Sequence, residues 1–397
     1  MITAEQVQNY RAETPGCKHA IHLNNAGTGL PPLPVLKSMQ DYLQLEAEKG
    51  GYETSAMMSD QLHDFYTATA RLLNAKTHQI AFLTSATDAF NQALSAIPFE
   101  KGDLILTTND DYISNHTAFW ALAKRMDLRV MRGPTLPDGG CDPEGMIQLI
   151  RQHRPRLVSV THIPTNSGLI QAVAPIGQVC REKGIWYLVD ACQSVGQMPV
   201  DVEQIQCDFL SATLRKFLRG PRGAGFLYVS DRALKAGLHP LLPDMRGVNW
   251  VGANEFELVD SAKRFELWEK SYALMMGSKV AVEYALAIGL DRIEKRLSDL
   301  TKHLRVQLTQ IDGLRLLDRG KQPCALVTFH PKGFTAATFK AKLDARQINT
   351  SIANRSSAQI DFIEKQVEWA LRASPHYYNT KEELNTFVEA VRQVIKK

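Results

Sequence analysis

The sequence predicts an α/β protein, with a large domain built on a mostly parallel, seven-stranded sheet and a small α+β domain after it. Three observations carry that prediction. Between residues 80 and 229, short apolar runs alternate with stretches of helical period, and repeated strand–helix–strand order builds a parallel sheet covered by helices on both faces. From residue 268 to 308 the apolar spacing turns helical, with a break at Gly289-Leu290. Beyond residue 320, single strand-like and helix-like runs return on a smaller scale. The expected division is a large domain over residues 16–290 and a small one over 291–397, with residues 1–15 packing on the small domain.

The elements follow in chain order. Residues 22–29, HLNNAGTG, are polar and glycine-rich and precede Pro31-Pro32; they suit either a turn ahead of a helix or a loop folded over a ligand. Residues 35–48 carry helical apolar spacing and stop at Gly50-Gly51, and residues 59–73 form a second helix. Residues 80–83 read as a strand, and Thr84-Ser85-Ala86-Thr87-Asp88 opens a helix to about residue 97. Small and hydroxyl residues at such a turn leave free N–H groups and helix-dipole charge for a phosphate. An ordinary Ser or Thr N-cap explains them equally well. Strands at 104–106, 128–130 and 157–160 then alternate with helices at 118–125, 143–151 and 174–183. Strands at 186–189, 208–211 and 223–229 complete the sheet. An amphipathic helix over 291–310 bridges to the small domain. There 324–329 read as a strand, 336–345 as a helix and 381–395 as the closing helix, while a strand-like run from 369 brings Arg372 to a loop of polar aromatics.

Composition narrows the class. With 397 residues, 44% hydrophobic and 22% charged, the chain can bury one large core and a second smaller one. A net charge of +4 without a dense basic run gives no electrostatic reason to expect nucleic acid. The start, MITAEQ, lacks the basic and apolar regions of a signal peptide. No apolar stretch approaches the roughly eighteen residues of a membrane span. The cysteines are scattered without CxxC spacing, which argues against a metal site or a disulfide framework and for a reducing, cytoplasmic setting.

Chemistry concentrates in residues 186–226. A buried-strand run, Trp186-Tyr187-Leu188-Val189, ends on Asp190, and a second, Asp208-Phe209-Leu210-Ser211, leads through Ala212-Thr213-Leu214-Arg215 to Lys216. Working residues of α/β sheets sit at the carboxyl ends of strands. An acid and a lysine, each just past a strand, suit a cofactor that needs a carboxylate at one end and an amine at the other. Pyridoxal 5'-phosphate (PLP) is such a cofactor, with an aldehyde for the lysine and a ring nitrogen that stays protonated against the acid.

Together these pieces resemble the class V aminotransferase family of PLP-dependent enzymes, of fold type I, which includes cysteine desulfurases, C–S lyases, kynureninases and epimerases of the isopenicillin N type. The likeness runs from Asn24-Asn25-Ala26-Gly27 to Tyr378-Asn379-Thr380. Its most specific part is Asp190-Ala191-Cys192-Gln193 followed by Lys216 and Leu218-Arg219-Gly220-Pro221-Arg222-Gly223, and residues 372–380 look like the family's RxSxxxYNT signature. The resemblance implies a homodimer with active sites at the interface, acting on a small amino-acid substrate. It also implies roles residue by residue. Lys216 would bond to the cofactor's aldehyde and, once displaced by substrate, move the proton at Cα. Asp190 would pair with the ring nitrogen and Gln193 with the phenolic oxygen. Ala86, Thr87, Ser211 and Thr213 would hold the phosphate, joined by Arg215 where many relatives have histidine. Arg372 would take the substrate carboxylate in a bidentate fork that lysine cannot match. Asn25, Thr165 and Asn166 would lie near the ring or the substrate.

Departures from the family pattern bear on the reaction. The histidine that stacks on the ring in desulfurases falls on Ile113, so an aliphatic cover is expected; His116 reads as a surface or outer residue. His162 and His376 read as either structural residues or contacts of the site. Of Arg215, Arg219 and Arg222, part is expected to face the phosphate and the rest solvent or a subunit contact. Glu266 and Glu269 occupy the stretch where relatives lend a phosphate ligand across the dimer, a role no glutamate can fill. The loop ahead of the C-terminal arginine, residues 351–359, carries no cysteine, and none follows Cys324, which reads as core. The expected reaction is β-elimination across the C–S bond of a cysteine derivative or its sulfoxide, with no persulfide cysteine. Residues 46–53 (EAEKGGYE) and Arg264-Phe265-Glu266 are similar to that C–S lyase branch, hercynylcysteine sulfoxide lyases among them. Epimerisation or racemisation is the alternative, and needs a second acid opposite Lys216, for which Tyr52, His116 and His376 are the candidates. A desulfurase-like transfer is a further alternative.

Overall fold

Strands buried on both faces need no polar alternation, so the apolar runs of the sequence become the strands of the large sheet. In the computed structural model, which describes residues 1–396, they are β1 (Ile80–Leu83), β2 (Leu104–Thr107), β3 (Arg129–Arg132), β4 (Leu157–Thr161), β5 (Trp186–Asp190), β6 (Phe209–Thr213) and β7 (Gly225–Val229). The sheet order is β1-β7-β6-β5-β4-β2-β3. Strands β2 to β6 run parallel, and β7 is antiparallel to both neighbours. The link from β6 to β7 is too short for the crossover helix that a parallel neighbour requires. Every residue of β1, β2, β4, β6 and β7 is buried, whereas β3 closes one edge with exposed arginines at both ends, the usual guard of a free edge.

Two helices set up the site. Helix α1 (Ala86–Ser95) follows β1, and α2 (Ile113–Met126) follows β2. Helix α2 begins several residues before the start expected at 118. Its first turn, Ile113-Ser114-Asn115-His116, is too polar to show apolar spacing, and its cap Tyr112 makes no side-chain capping bond.

The C-terminal layer is an antiparallel sheet of β8 (Leu314–Leu316), β9 (Val327–Pro331), β10 (Ser351–Asn354) and β11 (Trp369–Ala373), in the order β8-β9-β11-β10. Its core joins Phe329, Leu371 and Phe387 to Leu300 and Leu304 of helix α3 (Leu290–Leu308). The two cores interleave in sequence. Leu23 packs in the C-terminal core, and Ile21 and His22 pair in parallel with Ile348 and Asn349, so this stretch, expected in the large domain, joins the C-terminal layer. Ile293 and Leu297 of α3 pack instead in the large core. The N-terminal helix Ala4–Ala12 touches both parts: Arg11 pairs with Glu383 at 2.8 Å, while Val7 joins the large core. Among the described residues no single helix is long and apolar enough to cross a membrane.

Arg219, expected at the phosphate, in solvent or at a subunit contact, is instead buried to 1% exposure. It donates to the Leu30 carbonyl at 2.7 Å, to Thr14 Oγ1 and to the Tyr377 hydroxyl, and its guanidinium lies 4.6 Å from the Tyr378 ring centroid. No carboxylate pairs with it among the described residues; neutral acceptors and π-faces carry the charge. Arg219→Met leaves those acceptors unpaired, and we expect a loss of about 3 kcal/mol of unfolding free energy by urea titration. A change below about 1 kcal/mol would show that water replaces the guanidinium at no cost.

Candidate active site

Parallel strands β4, β5 and β6 end together, bringing Thr161, Asp190 and Thr213 to one edge of the sheet. A cleft of about 630 Å³, its mouth included, opens there. Asp190, 5% exposed, lies on its lining. Its carboxylate accepts the Cys192 N–H at 2.9 Å and Asn115 Nδ2 at 3.0 Å. Those bonds fix its direction without consuming its charge.

At another wall, Ser85 caps α1 by accepting from the Asp88 N–H at 3.1 Å. The N–H groups of Ala86 and Thr87, both on the lining, are left for an anion at the positive end of the helix. The turn is therefore a cap and an open anion cradle at once. Gly225 of β7 makes this approach possible: a Cβ there would fall 2.6 Å from the Ser85 carbonyl carbon and 2.7 Å from the Ala86 nitrogen.

Lys216 enters from the loop after β6, half-buried on the lining, with Arg215 beside it. Arg215 donates to the Gly27 carbonyl, which ties the 24–29 loop to the segment that carries Lys216. Arg372, on β11, donates to Ser351 Oγ at 3.1 Å, to the Thr165 carbonyl at 3.3 Å and to Thr165 Oγ1. Thr165 itself lines the cleft and accepts from Gln193 Nε2 at 3.2 Å. Burial is the main cause that lowers the Lys216 amine from its ordinary value; Cys192 and Asp190 oppose it, and the charges of Arg215 and Arg372 add to it. Burial, then the charge of Arg215, pushes Arg372 down to about 10. None of these cations has a carboxylate partner among the described residues, so with Asp190 the sole acid on the lining the cleft is short of negative charge. A phosphate and an amino-acid carboxylate would supply it. Gln193 Oε1 is buried and unpaired as well, as expected of a site built for one more polar group. The donor set fits PLP.

Ala86, Thr87, Thr165, Asp190, Gln193, Thr213, Arg215 and Lys216 therefore come together, and Arg372 reaches them through Thr165. Other expectations do not hold. Ser211 lies opposite Asp190 in register, two residues deeper than Thr213 and so about 7 Å down the strand. Its hydroxyl is fully buried there, away from the cleft. Asn25 is fully buried and its amide is spent, accepting from the Tyr378 hydroxyl at 2.6 Å and donating to the Ser374 carbonyl at 2.8 Å. Asn166 lines not the cleft but the cavity that adjoins it, a place still open to a substrate. His376 is fully buried, with Nε2 2.9 Å from the Phe217 carbonyl and Nδ1 accepting the Tyr377 N–H at 2.8 Å, so it positions the 372–380 segment. His116 is also buried, not at the surface. Ile113 faces the neighbouring cavity, and it is Tyr112, in extended backbone just before α2, that lines the cleft. Glu266 points into this chain's own core, accepting from the Tyr66 hydroxyl and the Phe82 N–H, each at 2.8 Å. Tyr112 and Asn115 are lining residues that sequence reasoning missed, whereas Ser85 belongs to the turn already read as a cap or phosphate site. A correctly placed start for α2 is the signal that would have found both.

The family model described as aminotransferase class-V matches residues 21–387. The chain belongs to the class-V aminotransferase family. It is a PLP-dependent enzyme of that family. It is similar, at 29% identity over 98% of both chains, to a probable cysteine desulfurase of Methanothermobacter thermautotrophicus. At 28% identity over 94% of this chain and 89% of the other, it is similar to a probable hercynylcysteine sulfoxide lyase of Mycobacterium tuberculosis. Among solved structures, the apo cysteine desulfurase of Thermococcus onnurineus superposes with a TM-score of 0.90 at 25% identity, covering 98% of each chain.

Proposed function

We propose that this class-V enzyme is a C–S β-lyase that acts on a cysteine derivative or its sulfoxide. The observation that carries the reading is the lack of a usable thiol. Strand β10 and the turn Arg355–Ser357, ahead of Arg372, bear serines and no cysteine. Cys324 is 4% exposed, and burial pushes its thiol up to about 12. Cys192 lines the cleft, but burial and then the Asp190 charge raise its pKa. Sulfur relay needs a thiolate; elimination needs none. The relatives named as desulfurases and as a sulfoxide lyase are similar to this chain in nearly equal degree, so the thiol inventory is what separates the readings.

When bound, PLP supplies an electron sink for charge developing at the substrate Cα. The protein's part is then orientation, charge and proton movement. Ala86, Thr87, Thr213 and Arg215 would hold the phosphate. Asp190, steered by Asn115 and the Cys192 N–H, would pair with the ring nitrogen, and Gln193 with Thr165 would meet the phenolic oxygen. Tyr112, on the lining, would pack on the cofactor where an aliphatic side chain was expected. Arg372 fixes the substrate carboxylate, which directs the Cα proton toward the Lys216 amine. The Cα–H and Cβ–S bonds break, and with one water the products are pyruvate, ammonia and the thiol, or, from a sulfoxide, the sulfenic acid. Exposed apolar side chains at Leu241, Leu242, Trp250 and Phe256 support a homodimer.

Incubation of the holoenzyme with cysteine S-conjugates and their sulfoxides is expected to yield pyruvate and ammonia in equal amounts. Alanine with sulfane sulfur, and no pyruvate, would overturn the reading in favour of a desulfurase. Epimerisation remains the second reading because of Tyr112. Of its earlier candidates, Tyr52 is 77% exposed, and neither His116 nor His376 reaches the cleft, whereas Tyr112 does. Exchange of the Cα proton in deuterium oxide with inversion, and without pyruvate, is its signature.

A further inference from the structure

A second cavity, of about 560 Å³, adjoins the cleft. The two share walls one residue thick: Tyr112 and Thr165 face the cleft, while Ile113, Pro164 and Asn166 face the cavity. The far wall is residues 357–361, which follow β10 on the cysteine-free side of Arg372. A substituent on the substrate's sulfur, directed away from Lys216, has this space in front of it.

The cavity is short of positive charge, the reverse of the cleft. Asp361 pairs with Lys365 at 2.7 Å, and Lys365 is also tied to the Asn166 carbonyl at 3.1 Å and to Ser167 Oγ at 3.2 Å. Asp110, half-buried, accepts from Ser167 Oγ at 3.2 Å and has no cation partner among the described residues. Burial, then the charge of Asp361, pushes Asp110 up to about 6 against the opposing charge of Lys365, so it is mostly ionised at neutral pH; with Asp110, Asp111 and Asp361 on the lining and no lysine or arginine there, Lys365 offsets that charge only in part.

An independent observation comes from His116. The side chain is 6% exposed and lines the cavity, yet neither ring nitrogen makes a well-formed hydrogen bond among the described residues; the Asn109 backbone acts on the ring only weakly. Its ring stacks on Trp120 with centroids 5.4 Å apart and planes 10° from parallel. Burial, then the charge of Arg132, which is not on the cavity lining, holds the imidazole near 4, so at neutral pH it is uncharged and keeps one acceptor nitrogen. Buried polar groups are rarely left unpaired without a reason. A carboxylate, a neutral imidazole and the half-exposed face of an indole suit one kind of guest, a positively charged nitrogen.

We propose that this cavity is the side-chain subsite of the enzyme and that it takes a cationic nitrogen group carried on the sulfur substituent of the substrate. Its link to turnover rests on the C–S lyase reading, but the charge preference is a property of binding and stands apart from the reaction. Asp110 and Trp120 set specificity here and take no part in bond breaking.

The test uses S-(2-aminoethyl)cysteine, S-propylcysteine and S-carboxymethylcysteine, which are of similar size and differ in charge. For the holoenzyme, kcat/KM is read from pyruvate; for the Lys216→Ala holoprotein, whose turnover is too slow to disturb the measurement, Kd is read by calorimetry. The aminoethyl compound is expected to lead the propyl compound about tenfold in both measurements, the effect of one partly screened charge contact, with the carboxymethyl compound weakest. Asp110→Asn, which keeps the acceptor for Ser167, is expected to bring that lead within about twofold while leaving the propyl compound unchanged. Trp120→Leu is expected to lower only the aminoethyl value, by a few fold. Equal affinities across the series, or equal losses for all three in Asp110→Asn, overturn the proposal. Charge-ordered binding without pyruvate from any compound would instead overturn the lyase reading and leave the subsite standing.

Discussion

Lys216→Ala is expected to lower kcat for pyruvate formation by about a thousandfold or more, the upper part of the range for a lost proton-transfer group. Lys216 is the sole amine on the cleft lining, and no neighbour can substitute: Arg215 is occupied with the Gly27 carbonyl and holds its proton too firmly to act as a base. Burial and two nearby guanidiniums lower the Lys216 amine. The sign follows directly. A lowered value means that the neutral amine, the form that accepts the Cα proton, is present at a lower pH than for an exposed lysine. The rate should therefore rise with pH on the acid side and level off earlier than an ordinary lysine would allow. Lys216→Arg should be about as inactive as the alanine variant, since it restores charge but not an amine that can give up its proton. Visible absorbance, circular dichroism and pyruvate release separate loss of cofactor linkage from loss of fold. A kcat within tenfold of the unaltered enzyme would remove Lys216 from proton transfer.

Asp190 and Lys216 were legible in the sequence for the same reason that the sheet was. Strands covered on both faces read as unbroken apolar runs, and a polar residue that ends such a run stands at the sheet edge. Depth along a strand is less legible: Ser211 and Thr213 share a face, and only the folded structure shows that Thr213, and not Ser211, lines the cleft. Tyr112 was missed because a polar first turn concealed the start of α2, and an error of one residue exchanges the two walls that residues 112 and 113 face. Asn25, His376 and Arg219 are another kind of miss. Each looks functional by residue type and position in a motif, and each is consumed by bonds to distant segments, as Asn25 is by Tyr378 at a separation of 353 residues. No local pattern records such a partner.

Arg372→Lys is expected to reduce kcat/KM about 10- to 100-fold, mostly through KM, because a charge-assisted bond pair to the substrate carboxylate is replaced by a single contact. Geometry and electrostatics act together. The guanidinium reaches Ser351 Oγ and both oxygens of Thr165, and an ammonium cannot span those partners and still present a parallel pair of donors outward. Burial and Arg215 already push the guanidinium down to about 10. Lysine ordinarily titrates near 10.4, against more than 12 for arginine, so the same surroundings carry a lysine there toward neutrality. Its charged form exists on the acid side, and the variant should therefore lose affinity as the pH rises through the neutral range, while the unaltered enzyme keeps its KM. A KM–pH profile of both proteins reads this directly. A flat profile for Arg372→Lys with an unchanged KM would mean that the substrate carboxylate is held elsewhere, and Arg215 would then be the cation to test.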